Sequence, residues 1–206
     1  MTDHLADEPA LGWRNDIADE RPDRLAARRA STPPGRQWAA MAVVAVVSGP
    51  FAILAALVEN STAGVGLLFL LVLIGPATEE VLKASGALYV AERRPWLVPS
   101  GWVLPAVAIA SGLCFAVIEN LWYLEVLIDD PSERLTRARW IVGPLLHGGC
   151  SAIAGLGVRR LWRRGLDRGA PRFADAEPFL VVAVVLHGSW NLLATLFALG
   201  HSDLLG

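Results

Sequence analysis

Two carboxylates and one ammonium group stand together in GPATEEVLK, Gly75 to Lys83, inside a largely apolar run from Gly64 to Val90. On a helix Lys83 lies four residues beyond Glu79 and three beyond Glu80, so it can pair with either. It is the chain's only lysine; every other basic side chain is arginine. The run is long enough to cross a bilayer, which takes about 20 residues. A lone ionised side chain at the bilayer centre costs at least ~2.5 kcal/mol. Two acids and a base at that depth therefore serve either as an ion pair fixing helix register or as a site that handles water or protons.

Three other apolar runs carry polar groups. Glu119 and Asn120 lie within Trp102 to Ile128, His147 within Trp140 to Val158, and His187 and Asn191 within Glu177 to Gly200. Counted from the arginine-rich ends at 1.5 Å per residue, Glu79, His147 and His187 each fall roughly 15 Å deep, near the midplane of a ~30 Å core. Glu119 falls higher unless its helix tilts or begins nearer Pro105. Ala108, Gly112, Phe115 and Glu119 share a face, as do His147, Ser151 and Gly155. Small residues on those faces allow close helix approach. His187 and Asn191 are one turn apart. Alone, Asn191 reads as interhelical hydrogen-bonding glue, and a single histidine as a satisfied packing group. Together with the three glutamates they describe one shared polar site. Glu125, beside Asp129 and Asp130, reads as an interfacial acid.

The elements that position these groups are membrane spans. The chain is 54% hydrophobic, with mean hydropathy +0.45. Long apolar runs exclude an ordinary soluble domain and predict an all-α polytopic bundle of about five spans. These are Trp38–Val58, kinked or broken at Gly49-Pro50, then Gly64–Val90, Trp102–Ile128, Trp140–Val158 and Glu177–Gly200. Residues 1–37 are polar and predict a mobile cytosolic tail without a cleavable signal peptide, holding a short helix around Asp16 to Arg29. Residues 38–206 form the membrane domain. Arg24, Arg28, Arg29, Arg36, Arg93, Arg94, Arg159, Arg160, Arg163, Arg164, Arg168 and Arg172 fall on one side, and only Arg134, Arg137 and Arg139 on the other. The bias places the N-terminus in the cytoplasm and the C-terminus outside the cell membrane. It also accounts for the arginines without nucleic acid. Trp38, Trp102, Trp140 and Trp162 near span ends suggest an interfacial belt. Cys114 and Cys150 form no disulfide or CxxC pattern.

The polar residues also fall into ordered motifs: EEVLK, FAVIEN (Phe115 to Asn120), LLHGG around His147, and HGSWN (His187 to Asn191). In this the chain resembles the PrsW-type intramembrane proteases, relatives of the CAAX prenyl-protease and bacteriocin-processing superfamily. Their signatures are EExxK, FxxxEN, a histidine and HxxxN. The likeness covers about Gly64 to Leu193, with the tail and first span outside it. Lys83 after the acidic pair, and Glu119 where prenyl-protease relatives usually carry histidine, favour the PrsW branch.

The resemblance implies endopeptidase cleavage of a membrane-anchored protein, in the best-known role an anti-sigma factor. Glu79 or Glu80 would activate water. Glu119, His147, His187 and Asn191 would complete the catalytic set by orienting water, stabilising the oxyanion or protonating the leaving amine. Lys83 and Asn120 would support them. The expected chemistry is glutamic and metal-free. Zinc held by Glu79, Glu119, His147 and His187 is the alternative. Two other classes use the same residues: a proton or ion relay through Glu and His, and a non-catalytic scaffold or immunity-type binder.

Overall fold

A computed structural model describes residues 22–61, 66 and 69–200. Among them are six α-helices: α1 (Pro22–Ser31), α2 (Pro34–Ser61), α3 (Gly75–Arg93), α4 (Val103–Trp122), α5 (Glu133–Arg168) and α6 (Glu177–Gly200). π-Helical turns at Leu70–Ile74 and Tyr123–Leu127 open α3 and extend α4. Helix ends follow local chemistry. At the start of α5, Ser132 accepts a hydrogen bond from the Leu135 N–H, with Glu133 in the first turn. At its end Arg168 occupies the last turn and Gly169 turns left-handed at φ 76°.

Helices α2, α4, α5 and α6 are long and apolar enough to cross a membrane. The fifth expected span is α3 with its π turn. It falls short of that criterion because Glu79, Glu80 and Lys83 crowd one segment. Instead α3 packs against α2, α4, α5 and α6, so its charges face protein. The outer surface is apolar, with Val46, Leu145, Val185 and Leu193 exposed, the pattern of a lipid-facing belt.

Several expectations change at the ends. Helix α2 begins at Pro34 and runs through Pro50 without a break. Helix α5 starts at Glu133 and continues to Arg168, so it takes in residues expected in the flanking loops. The short helix expected around Asp16 to Arg29 is α1, at Pro22–Ser31, and it docks on the bundle. Arg29 Nη2 donates to the Pro99 carbonyl at 2.6 Å, and the guanidinium groups of Arg28 and Arg29 stack on Trp96 and Trp162. Trp162 is thereby buried rather than interfacial, and its Nε1 donates to Pro95 O. Residues 1–21 lie outside the described part, as do His201 and residues 62 and 63 of the loop expected after the first span, whose first three residues close α2.

Along the bundle axis the interior has three layers. An apolar core fills the arginine-rich end, built from Met41, Val98, Leu104, Val158, Leu161 and Trp162. A buried polar layer follows. A cavity of about 590 Å³ occupies the other end, between the first half of α5 and the second half of α6.

Candidate active site

Four helices build the polar layer. Helix α3 brings Glu79, Glu80 and Lys83, α4 brings Glu119, α5 His147 and α6 His187; of these only Glu119 is more than marginally exposed. Lys83 is at the centre. Its Nζ donates to Glu80 Oε1 at 2.6 Å, lies 3.0 Å from His147 Nδ1 and 3.9 Å from Glu79 Oε2. The Phe115 ring beneath it, 4.6 Å away, adds a cation–π contact. The pairing anticipated within EEVLK is therefore with both acids, the closer being Glu80.

The histidines are oriented by acids. An ammonium group has no acceptor, so His147 Nδ1 accepts from Lys83 and its Nε2–H donates to Glu119 Oε2 at 2.9 Å. Glu80 accepts from His187 Nδ1–H at 2.9 Å, which turns Nε2 of the same ring toward Glu79 Oε2, 3.9 Å away. The rings meet edge to face with centroids 4.9 Å apart. Glu119, expected higher in the membrane, reaches His147 because α4 and α5 lie unusually close. A Cβ on Gly112 would stand 2.6 Å from the His147 carbonyl oxygen.

Asn191 has another task. Gly75 N–H bonds Leu70 O in the π turn, and Pro76, next in line for Leu71 O, has no N–H. Asn191 Nδ2 donates to that orphaned carbonyl at 3.0 Å. One turn earlier Gly188 lets α6 approach the Val72 carbonyl. Asn120 is fully buried and donates to Arg139 O at 3.0 Å. Both asparagines thus hold backbone. Glu125 is exposed in the second π turn.

Sequence reasoning counted Arg139 only as a topology charge. Its Nη2 lies 3.5 Å from Glu119 Oε2 and its guanidinium stacks on Tyr123 at 3.9 Å. Its place about two turns before His147 was the available signal. The cavity is lined by Glu119, Arg139, His147, His187, Trp190 and Asn191 among others, whereas Glu79, Glu80 and Lys83 lie behind the imidazoles.

The model of the PrsW family intramembrane metalloprotease matches residues 34–204. The chain belongs to the PrsW family. The match takes in the first membrane helix, which the motif resemblance left out, and it makes the protein an intramembrane protease by family. No curated protein and no solved structure matches the chain.

A metalloprotease needs side chains that can hold a metal. Glu79, His147 and His187 each offer one ligand atom, all within 4.8 Å of one another. Two histidines and a glutamate are a set used by catalytic zinc. Two donors on one zinc lie at most about 4.2 Å apart, and the 3.9 Å between His187 Nε2 and Glu79 Oε2 meets this. The residues fit. Glu119, included in the four-residue zinc set expected from sequence, is outside this group; it bonds His147 instead, as carboxylates behind metal-ligating histidines do.

Proposed function

We propose that the protein hydrolyses a peptide bond of a membrane-anchored substrate, with Glu79, His147 and His187 as the water-activating centre. The observation that carries this reading is the convergence of those three side chains, from three helices, behind a cavity that reaches both imidazoles. Zinc, when held by Glu79, His147 and His187, supplies Lewis-acid polarisation and a more acidic water. Glu79 takes a proton from a water bound beside its carboxylate. The water oxygen bonds to the scissile carbonyl carbon, the proton passes to the leaving amine, and the C–N bond breaks. Glu80 and Glu119 hold the two imidazoles in single tautomers. Lys83 keeps Glu80 charge-balanced in a dry setting.

The position of Lys83 favours a second, metal-free form of the same reaction. Its ammonium takes the His147 Nδ1 lone pair and already supplies a cation beside both acids. In that form Glu79 acts as base and the imidazoles donate to the oxyanion. A single-span anti-sigma factor is the substrate that the motif resemblance suggests. The arginine bias supports a cell-membrane protein with its N-terminus in the cytoplasm.

The test uses purified protein in proteoliposomes with a single-span reporter. Glu79→Ala should lower the rate by about 10²–10⁴-fold, the usual span for a lost general base. Cleavage by Glu79→Ala and by Glu80→Ala as fast as by the parent overturns the reading. Chelation that abolishes turnover, with zinc restoring it, selects the metal form; turnover indifferent to chelator selects the glutamic form.

A further inference from the structure

The cavity mouth carries two arginines, of which only Arg139 touches a residue of the polar layer, Glu119. Arg134 and Arg139 both line the cavity. Arg134 is exposed and has no acidic partner among the described residues, whereas Arg137, which lies off the cavity, is paired with Glu133. The Arg139 side chain is 23% exposed and leaves its Nε without a hydrogen-bond acceptor among the described residues. Among the described residues the only acid in the lining is Glu119, whose Oε2 already accepts from His147. The mouth therefore has a positive surplus beside apolar walls formed by Leu135, Val142, Leu193 and Phe197. Its position is equally specific. Arg139 Nη2 is 3.5 Å from Glu119 Oε2, which is 2.9 Å from His147 Nε2. At about 3.3 Å per residue of extended chain, the guanidinium lies roughly two residues from the reaction centre.

We infer that Arg139, with Arg134 beyond it, is a specificity determinant that receives an acidic side chain of the substrate within a few residues of the scissile bond. The substrate is then a membrane-anchored segment whose Asp or Glu lies at the membrane face opposite the Arg159–Arg172 stretch. Arginine suits this task because its planar fork takes a carboxylate bidentately and loses less to dehydration than an ammonium group. The inference rests on the endopeptidase reading for the identity of the occupant.

Three labelled single-span peptides, identical except for Asp, Asn or Lys at the juxtamembrane positions, are added to the full chain in phosphatidylcholine proteoliposomes. Binding and cleavage are measured separately. The Asp peptide should bind at least tenfold more tightly than the Asn peptide and the Lys peptide most weakly. Arg134→Gln and Arg139→Gln should each shrink the preference, and the double variant should remove it. Arg139→Glu should invert it toward the Lys peptide, a reversal that a purely structural role for Arg139 does not produce. Equal binding of the three peptides, binding of none, or a preference that survives in the double variant overturns the inference. So does a gain seen only with phosphatidylglycerol vesicles, which would assign the two arginines to lipid headgroups. Charge-selective binding without hydrolysis sinks the endopeptidase reading alone; hydrolysis without charge selection sinks this inference alone.

Discussion

Lys83 shows how a buried ion can organise a site it does not line. Its ammonium is dehydrated, and so is Glu80; each is tolerable only because the other is there. Lys83→Met should therefore destabilise the bundle by about 3–5 kcal/mol, the usual cost of stranding one partner of a buried pair. Lys83→Met combined with Glu80→Gln should recover much of that loss, because neither residue is then charged. Unfolding of the purified variants in detergent measures both. Equal loss in the single and double variants would mean that packing of the lysine stem dominates.

At the scale of elements, the site depends on where helices can touch. Pro76 leaves carbonyls of the π turn without their usual donors, and α6 supplies the repair through Asn191 while Gly188 permits the approach. A Cβ at residue 188 would collide with the Val72 backbone oxygen, which has no flexible end to swing away. Gly188→Ala should destabilise by about 1–3 kcal/mol and lower activity by moving His187 next to it. Gly149→Ala, where a Cβ meets nothing within 4 Å, should change stability by no more than about 0.5 kcal/mol. Melting curves and reporter cleavage for the two variants check the contrast.

The whole molecule is organised by a gradient of charge along its axis. The arginine-rich end is tied together outside the apolar core. Asp175 accepts from Arg168 and from Arg164, the latter at 2.9 Å. These hydrogen bonds, Arg168 first, hold its carboxyl at about 2, below the ordinary 3.8. Between those values the unfolded chain binds more protons than the folded one, so the contribution is present above pH ~4 and fades as pH falls through about 2. Asp175→Asn should remove this acid sensitivity, read from unfolding of parent and variant across the window. The effect is small because the guanidinium groups reach solvent. The same charge gradient predicts orientation. Reporter fusions after residue 165 should be cytoplasmic and fusions near residue 130 extracytoplasmic; the opposite labelling would reverse the topology.

The membrane class, the helices and the ionisable members of the site were legible because charge is too costly in lipid to appear there without a partner. That constraint is local, so it shows in a single chain: EEVLK, Glu119, His147 and His187 stand out against apolar neighbours. Which groups meet was not legible. Glu80 bonding His187, Glu119 bonding His147, and Glu79 rather than Glu119 completing the possible ligand set depend on helix rotations and separations. Contacts between residues such as Gly112 and His147, or Gly188 and Val72, set those quantities. Asn191 and Arg139 exchanged their expected standing for the same reason. A side chain's type is written in the sequence, but its partner is chosen by the helix that packs beside it.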